Sequence, residues 1–523
     1  MTRKPLAKVL VLGIDSGEPS MVTRYAAEGL LPNIQRLQNR SVWGRVANPK
    51  GFESSAVWPT FQTAKRPGNM GQYEGLRYFD PQTYDFDHFT EDQVPEDYLW
   101  QRLSRAGKRC FVFDAPYALL DRSINGTMIV DWGPHLPAKG YGQADFQTQP
   151  PEVAEEVLAV GGPDPFCGEM CDDLSIASAA DYREFVDQHI DRIQRKAKIA
   201  SYFLKKGDWD YFQTVFPDMH CVGHHVWHIS DENHPDHDPD FAKKTGDLYK
   251  DAFIAIDQAI GDIMANVDDR SLTLLYFSHG MRQQRTGTGV LDRALALIDG
   301  QTLDLGGATT KTRLKKLWQK TPAEFRSLVA PLRRKFRGAL EVSTLLENRD
   351  DRRFFEVHNN RRTGGVRLNL IGREANGKVA PEEFDMVLDE IIAELSKITN
   401  VESGTPLVEE FIKTRDVHDG HCIDRLPDLL VRWNQHHPIR AVTSPTIGRI
   451  DQNFENTRSG DHSSYGLFAA QGGGIERTPL NHDVNAEDFG LTLMEILGVS
   501  PEDTDGDAIE QLLVFDQKLE LAS

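Results

Sequence analysis

Residues 8–17, KVLVLGIDSG, decide the fold class of this 523-residue chain. Residues 8–14 form a short apolar run rich in Val and Leu, which is typical of a buried β-strand. The run ends at Asp15 in a polar turn, and a helical pattern follows. A strand that leads through a polar turn into a helix is the repeating unit of α/β folds. The opening of the chain therefore predicts an α/β fold with a carboxylate at the end of its first strand.

The same strand pattern recurs, each time after a helical pattern, at residues 109–115 (RCFVFDA), 210–216 (DYFQTVF) and 272–277 (LTLLYF). Polar side chains follow these strands directly: Asp15, then Asp218 with His220, then Ser278 with His279. In open α/β sheets, ligands bind at the carboxyl ends of the strands. We therefore expect these polar side chains to meet at one edge of one sheet.

The composition excludes several classes of protein. The net charge is −20 and 39% of the residues are hydrophobic, which is enough for a core and excludes global disorder. A strongly acidic chain does not offer the basic surface that nucleic-acid binding needs. No run of 18 apolar residues and no signal-peptide cleavage pattern is present, so we expect no membrane span. Five scattered cysteines do not form a disulfide framework, and we expect a cytoplasmic location.

Histidines point to a metal site. Six of the 17 histidines follow closely after the third predicted strand. His220 and His224 are four residues apart, so they share one face of a helix. Neutral imidazole is the commonest metal ligand, and two on one face with a distant third ligand make a zinc-type site. Together with Asp15, the later His279 and His462 complete a candidate set for two metal ions.

Eight segments, in this order, carry a resemblance to a known family: 11–22 (VLGIDSGEPSMV), 54–68 (SSAVWPTFQTAKRPG), 216–228 (FPDMHCVGHHVWH), 276–281 (YFSHGM), 365–379 (GVRLNLIGREANGKV), 426–433 (LPDLLVRW), 459–475 (SGDHSSYGLFAAQGGGI) and 491–506 (LTLMEILGVSPEDTDG). Their order and spacing resemble the alkaline phosphatase superfamily, specifically its type I phosphodiesterase/nucleotide pyrophosphatase branch. The resemblance implies a three-layer α/β sandwich. Its central sheet would be mostly parallel, with helices on both faces and a helical cap insertion.

The resemblance is weakest over residues 281–350. We therefore predict a catalytic core of residues 1–280 and 351–523, interrupted by a basic helical cap at 281–350. Within it, residues 311–337 hold ten Lys or Arg and one acid, Glu324. Such a segment is either a solvated amphipathic surface or a positively charged lid that attracts an anionic substrate.

Carried over by position, the resemblance implies that Ser54 is the nucleophile and contacts a metal ion, with its neighbour Ser55 as the alternative. The segment after Ser54 would be helical. The first metal ion would be held by His220, His224 and His462, and the second by Asp15 and His279. Further candidates for the metal site are Asp218, Ser278 and Asp461. Candidates for substrate contact, in a polar turn before a core strand, are Asn359, Arg361 and Arg362.

Two departures bear on the chemistry, because the family usually has Asp where this chain has His220 and Ser278. Fewer carboxylates weaken the case for a second ion. The prediction is metal-dependent hydrolysis of a small phosphate ester or phosphodiester through a covalent phosphoseryl intermediate. One or two divalent transition metal ions would serve, Zn²⁺ first and Mn²⁺ or Fe²⁺ as alternatives. The alternatives are a phosphonate C–P hydrolase or phosphomutase on the same fold, or a non-catalytic binding protein on a decayed phosphatase scaffold. The sequence leaves the oligomeric state open.

Overall fold

The computed structural model describes residues 8–90, 97–134, 146–166, 176–268, 270–303, 348–452, 458–472 and 474–513. The strands of these ranges are β1 (Val9–Ile14), β2 (Val42–Ala47), β3 (Arg77–Asp80), β4 (Asp85–His88), β5 (Cys110–Phe113), β6 (Gly126–Val130), β7 (Gln147–Gln149), β8 (Tyr211–Phe216), β9 (Leu272–Phe277), β10 (Gly280–Gln283), β11 (Phe354–Val357), β12 (Thr363–Leu368), β13 (Thr399–Asn400), β14 (Val408–Lys413), β15 (Leu429–Trp433), β16 (Ala441–Ser444), β17 (Gly448–Asp451), β18 (Gly460–Ser463), β19 (Tyr465–Gln471), β20 (Thr478–Pro479) and β21 (Val484–Asn485).

The α-helices of the same ranges are α1 (Pro19–Ala27), α2 (Pro32–Gln38), α3 (Val57–Thr63), α4 (Pro67–Met70), α5 (Leu99–Arg105), α6 (Val153–Gly161), α7 (Ala179–Lys206), α8 (Asp218–Ser230), α9 (Pro239–Thr245), α10 (Leu248–Met264), α11 (Leu291–Ile298), α12 (Phe384–Leu395), α13 (Thr414–Val417) and α14 (Ala486–Ile496).

A mixed ten-stranded sheet lies at the centre, in the order β20-β2-β19-β9-β1-β8-β5-β6-β7, with β21 also paired with β2. The pairs β1–β8, β1–β9, β5–β6, β5–β8, β2–β20 and β2–β21 are parallel. The pairs β19–β2, β19–β9 and β6–β7 are antiparallel. The prediction of a mostly parallel central sheet is confirmed. The strands β8, β1 and β9, which precede the candidate site residues, are direct neighbours.

Helices cover both faces of this sheet. Every residue of β1 is buried, and successive side chains along a strand point to opposite faces. Leu10 and Leu12 therefore join the apolar core shared with α1, α2, α7, α8 and α10. Val9 and Val11 join the core on the other face, shared with α3, α5 and α14. The predicted three-layer sandwich is confirmed, and its buried parallel strands explain why the sequence shows apolar runs rather than alternation.

A smaller lobe is formed by residues 290–298 and 354–451. Its antiparallel sheet has the order β11-β12-β15-β14, and α11 and α12 contribute to its apolar core. The apolar patterns at residues 366–370 and 429–433 also predict strands. These strands are present as β12 and β15, and they pair in this smaller sheet. The basic segment 311–337 lies outside the described residues. The cap and the boundaries at 281 and 350 therefore stay predictions.

Two further features bear on the expectations from composition. None of the described helices is long and apolar enough to cross a membrane. The described cysteines Cys110, Cys221 and Cys422 are buried. The cytoplasmic location stays a prediction.

Candidate metal and nucleophile site

The predicted site residues meet at the carboxyl ends of β1, β8 and β9. They are Asp15 after β1, Ser54 before α3, His220 and His224 on α8, Ser278 and His279 after β9, and His462 on β18. The four imidazole rings form one cluster. The ring centre of His462 lies 4.1 Å from that of His279, 4.5 Å from that of His220 and 4.8 Å from that of His224. The topology therefore joins residues that are more than 400 positions apart in the chain, as between Ser54 and His462.

Helix α8 and strand β18 approach each other closely enough to bring three of these rings together. His220 and His224 share one face of α8, and their Nε2 atoms are 3.0 Å apart. A Cβ atom at Gly460 would lie only 2.2 Å from the carbonyl oxygen of Gly223 on α8, so only glycine permits this approach. The approach sets the Gly460 carbonyl 2.8 Å from Nδ1 of His224. It also delivers His462, two residues further along β18, to the cluster.

Two groups of described side chains have the spacing of a metal site. The first is His220, His224 and His462, and the second is Asp15, His220 and His279. In each group the candidate ligand atoms lie within 4.8 Å of one another. The sequence assigned His220 to the first ion only, whereas the structure places it between the two groups.

Asp15 is buried and receives hydrogen bonds on both carboxylate oxygens. Its Oδ1 accepts from Nε1 of Trp58 at 2.9 Å and from Oγ of Ser278 at 2.9 Å. Its Oδ2 lies 3.0 Å from Nδ1 of His220, and Nε2 of His279 lies 3.7 Å from Oδ1. Burial alone raises the pKa of Asp15, but the neighbouring His220 and His279 hold that pKa well below its usual range. The carboxylate is therefore ionised at neutral pH.

His224 is held in the form that binds metal ions. Its Nδ1 must donate to the Gly460 carbonyl, because a carbonyl oxygen can only accept, so Nε2 carries the lone pair. Burial, the charge of Arg458 and the nearby His220 and His462 hold the pKa of His224 well below its usual range. A neutral imidazole whose second nitrogen is fixed by a backbone carbonyl is the usual arrangement of a histidine ligand.

Ser54 is half-buried and lies three residues before the first residue of α3. Its Oγ lies 2.8 Å from Nδ1 of His462. The neighbouring Ser55 lies close enough to Tyr117 to lower the pKa of its hydroxyl slightly, although burial raises that pKa overall. Of the two serines, Ser54 is the one whose hydroxyl lies at hydrogen-bond distance from the histidine cluster. The predicted helix after Ser54 is present as α3.

Two carboxylates that the sequence offered as further ligands lie elsewhere. Neither Asp218 nor Asp461 belongs to the two ligand groups among the described residues. Asp218 precedes His220 by two helical positions, about 200° around the axis. Its Oδ1 lies 2.8 Å from Nδ1 of His189 on α7. Asp461 and His462 are adjacent on β18 and so point to opposite sides of the strand. Both acids therefore lie outside the two ligand groups in this structure.

The predicted substrate contact Asn359 supports the loop that carries Ser54. Nδ2 of Asn359 and Nδ2 of Asn360 each donate to the carbonyl oxygen of Gly51 at 2.9 Å. Gly51 has a φ of +84°, a conformation that favours glycine, and lies three residues before Ser54. The turn before β12 therefore supports the loop that carries Ser54.

Arg361 and Arg362 flank the segment that carries His462. Nη1 of Arg362 donates to Oγ of Ser464 at 2.7 Å. Burial raises the pKa of Asp461, and the positive charge of Arg361 opposes that shift. Arg362 thus contacts the turn after β18, and the charge of Arg361 acts on Asp461, which points away from His462.

Sequence reasoning missed Trp58 and Arg458. Trp58 lies four residues after Ser54, at the second position of α3, and this closeness in sequence was the available signal. Nη1 of Arg458 lies 3.1 Å from Nε2 of His224. Nothing in the local sequence singles out Arg458, because its position depends on the pairing of β18 with β10.

Comparison with known proteins agrees with this architecture. The structure is similar to murine ectonucleotide pyrophosphatase/phosphodiesterase 5, with a TM-score of 0.51 and 12% sequence identity over 96% of this chain and 97% of that chain. An inactive variant of that murine protein in complex with AMP gives a TM-score of 0.50 at the same identity and coverage. At this identity the likeness shows the fold alone. No curated protein is significantly similar in sequence.

The family assignment comes from the sequence pattern. Residues 9–439 match the family described as type I phosphodiesterase/nucleotide pyrophosphatase. The match begins at β1 and covers most of the chain, including every predicted site residue except Asp461 and His462. The chain therefore belongs to the type I phosphodiesterase/nucleotide pyrophosphatase family and is a phosphoric ester hydrolase.

Proposed function

We propose that this chain hydrolyses a small phosphate ester or phosphodiester in a metal-dependent reaction, with Ser54 as the nucleophile. The observation that carries the proposal is the position of Ser54, whose Oγ lies 2.8 Å from Nδ1 of His462 within a cluster of four imidazoles. A nucleotide is the first substrate class to assay, because the murine neighbour was solved with AMP.

The residues present fit a metal ion at the first ligand group. Nε2 of His224 carries a lone pair, and Nε2 of His220 lies 3.0 Å from it. Together with His462 these residues would hold the ion. Three imidazoles suit Zn²⁺ best, ahead of Mn²⁺ or Fe²⁺. A bound ion supplies Lewis-acid polarisation of a phosphoryl oxygen and favours the ionised form of a hydroxyl beside it.

Ser54 would provide the covalent step. Its Oγ forms a bond to phosphorus while the bond from phosphorus to the leaving oxygen breaks. With His462 holding the ion through Nε2, its Nδ1 would carry the hydrogen and orient the Ser54 oxygen, and the Ser54 proton would pass to solvent water. Water then attacks the phosphoseryl group, which releases the phosphorylated product and restores the hydroxyl. Arg458, whose Nη1 lies 3.1 Å from Nε2 of His224, would stabilise the negative charge of the phosphoryl group, because guanidinium groups bind phosphate oxygens through charge-assisted hydrogen bonds.

No specific observation favours the other chemistries. A phosphonate C–P hydrolase or a phosphomutase would use the same nucleophile and histidines, and the family shown is one of phosphoester hydrolases. A substrate panel therefore separates these alternatives more directly than the structure does.

The proposal is tested by chelation and metal return with a panel of substrates. We expect hydrolysis of bis(p-nitrophenyl) phosphate or of a nucleotide to be lost after chelation and restored by Zn²⁺, Mn²⁺ or Fe²⁺. His224→Ala, folded as judged by circular dichroism, should not recover with added metal. Full activity in protein shown by elemental analysis to be free of metal would overturn the proposal. Turnover of a phosphonate alone would overturn the assignment as an ester hydrolase.

A further inference from the structure

The second ligand group differs from the first in how its atoms are already used. Asp15, His220 and His279 have the spacing of a metal site, but the side chains of Asp15 and His220 are hydrogen-bonded to each other. Oδ2 of Asp15 lies 3.0 Å from Nδ1 of His220. An ionised carboxylate can only accept, so Nδ1 of His220 carries the hydrogen and cannot also bind a metal ion.

The same hydrogen bond prepares His220 for the first group. With Nδ1 donating to Asp15, only Nε2 of His220 can carry a lone pair. Nε2 of His224 also carries a lone pair, because its Nδ1 donates to the Gly460 carbonyl. The two Nε2 atoms are 3.0 Å apart, and two acceptors at this distance repel each other unless a positive charge lies beside them. In the structure Nη1 of Arg458 lies 3.1 Å from Nε2 of His224 and supplies such a charge. A metal ion held by these two atoms and by His462 would meet the same requirement in its place.

The oxygens of Asp15 have protein donors in place of a second ion. Oδ1 accepts from Trp58 and from the hydroxyl of Ser278, each at 2.9 Å. The Ser278 oxygen itself accepts from the Ser16 amide at 3.1 Å, which directs its single hydrogen to Asp15. A second ion would have to displace these donors. It would then keep only Asp15 and His279 as described ligands, fewer than the three or four that protein metal sites supply.

We infer that this chain holds one metal ion, on His220, His224 and His462, and that Asp15 is a positioning residue that orients His220. The inference rests on the proposed metal-dependent function and sets its stoichiometry. The Asp15 carboxylate would then fix the tautomer of His220 and raise its basicity as a metal ligand. Ser278 completes the arrangement, because its hydroxyl satisfies the oxygen of Asp15 that would otherwise face a second ion.

Metal stoichiometry tests the inference without an activity assay. The purified full-length chain is loaded with excess Zn²⁺, freed of unbound metal by gel filtration and analysed for zinc per chain. We expect one ion in the wild type and one in Ser278→Ala. Ser278→Asp should bind two, because it adds a carboxylate beside Asp15 and His279. Two ions in the wild type overturn the inference but leave the proposed function standing. No bound ion in a folded wild type overturns both.

The role of Asp15 is tested by affinity and by a spectroscopic signature. Loss of a carboxylate that orients a histidine ligand weakens metal affinity about 10–100-fold. Asp15→Asn should therefore keep a stoichiometry of one with an affinity weaker by this factor and a shifted visible spectrum of the Co²⁺-loaded protein. His224→Ala should bind no ion at this site. An Asp15→Asn protein that keeps its fold but loses the ion as completely as His224→Ala would show that Asp15 is a ligand.

Discussion

The hydroxyl oxygen of Ser54 lies 2.8 Å from Nδ1 of His462, although 408 positions separate the two residues in the chain. The loop that carries Ser54 and strand β18, which carries His462, bring them together. The Ser54 loop is held from the smaller lobe through Gly51, and β18 is held against α8 where Gly460 meets Gly223. The geometry of the site therefore depends on both lobes.

Removal of the amides that hold the Ser54 loop should lower turnover without removing the metal ion. Asn359 and Asn360 donate to one carbonyl, so the single variants should have small effects and the double alanine variant a larger one. The double variant loses both hydrogen bonds to Gly51 and also those that Oδ1 of Asn360 accepts from the amides of Arg362 and Thr363. At about 1 kcal/mol for each bond, the displaced loop predicts a fall in kcat on the order of tenfold or more. Asn376→Ala, at an exposed amide, is the matched control. An unchanged kcat in the double variant would contradict this account of the loop.

Loss of the buried ion pair of Lys196 should destabilise the protein more than loss of an exposed ion pair. Nζ of Lys196 is fully buried and lies 2.7 Å from Oδ2 of Asp114. Lys196→Met leaves the Asp114 carboxylate buried without its cation, which costs about 3–5 kcal/mol of unfolding free energy. Lys206→Met removes an exposed pair with Glu156 and should cost about 1 kcal/mol or less. Denaturant unfolding of both variants makes the comparison, and equal losses would show that the buried pair has no special role.

The smaller lobe should lose stability as the pH rises through the neutral range. Burial and the nearby Asp292 raise the pKa of Glu356 to about 8 from its ordinary 4.5. Between these two values the folded chain keeps a proton that the unfolded chain has released, so stability falls as pH increases and levels off above about 8. Glu356→Gln stays neutral throughout. The free energy of unfolding of Glu356→Gln, relative to that of the wild type, should therefore increase between pH 5 and pH 8 by on the order of a few kcal/mol. Parallel pH profiles of the two proteins would refute the assignment.

The central sheet could be predicted from the sequence because its strands are buried on both faces and appear as apolar runs. The polar residues directly after β1, β8 and β9 could also be placed, since parallel strands end at the same edge. Local periodicity does not reveal which sheet a strand joins, so the pattern of β12 and β15 could not show that they pair in the smaller sheet. That choice depends on long-range pairing.

The sequence also could not show which side chains hydrogen-bond to each other. The family resemblance implied that His220 binds one ion and Asp15 the other, whereas in the structure these two side chains are hydrogen-bonded to each other. It offered Asp218 as a further ligand because of its position after β8, whereas helical geometry turns that side chain toward His189. Arg458 gave no signal at all, because its contact with His224 joins the segment before β18 to helix α8 across 234 positions of the chain.

The most direct test of the account is the rate at which Ser54→Ala hydrolyses a phosphodiester, measured in a preparation of known metal content. Loss of the nucleophile should lower the rate by about 10³-fold or more while the metal content stays at the wild-type value. Ser55→Ala is the matched control and should keep most of the activity, because its hydroxyl faces Tyr117. A Ser54→Ala rate within twofold of the wild type would contradict the central claim.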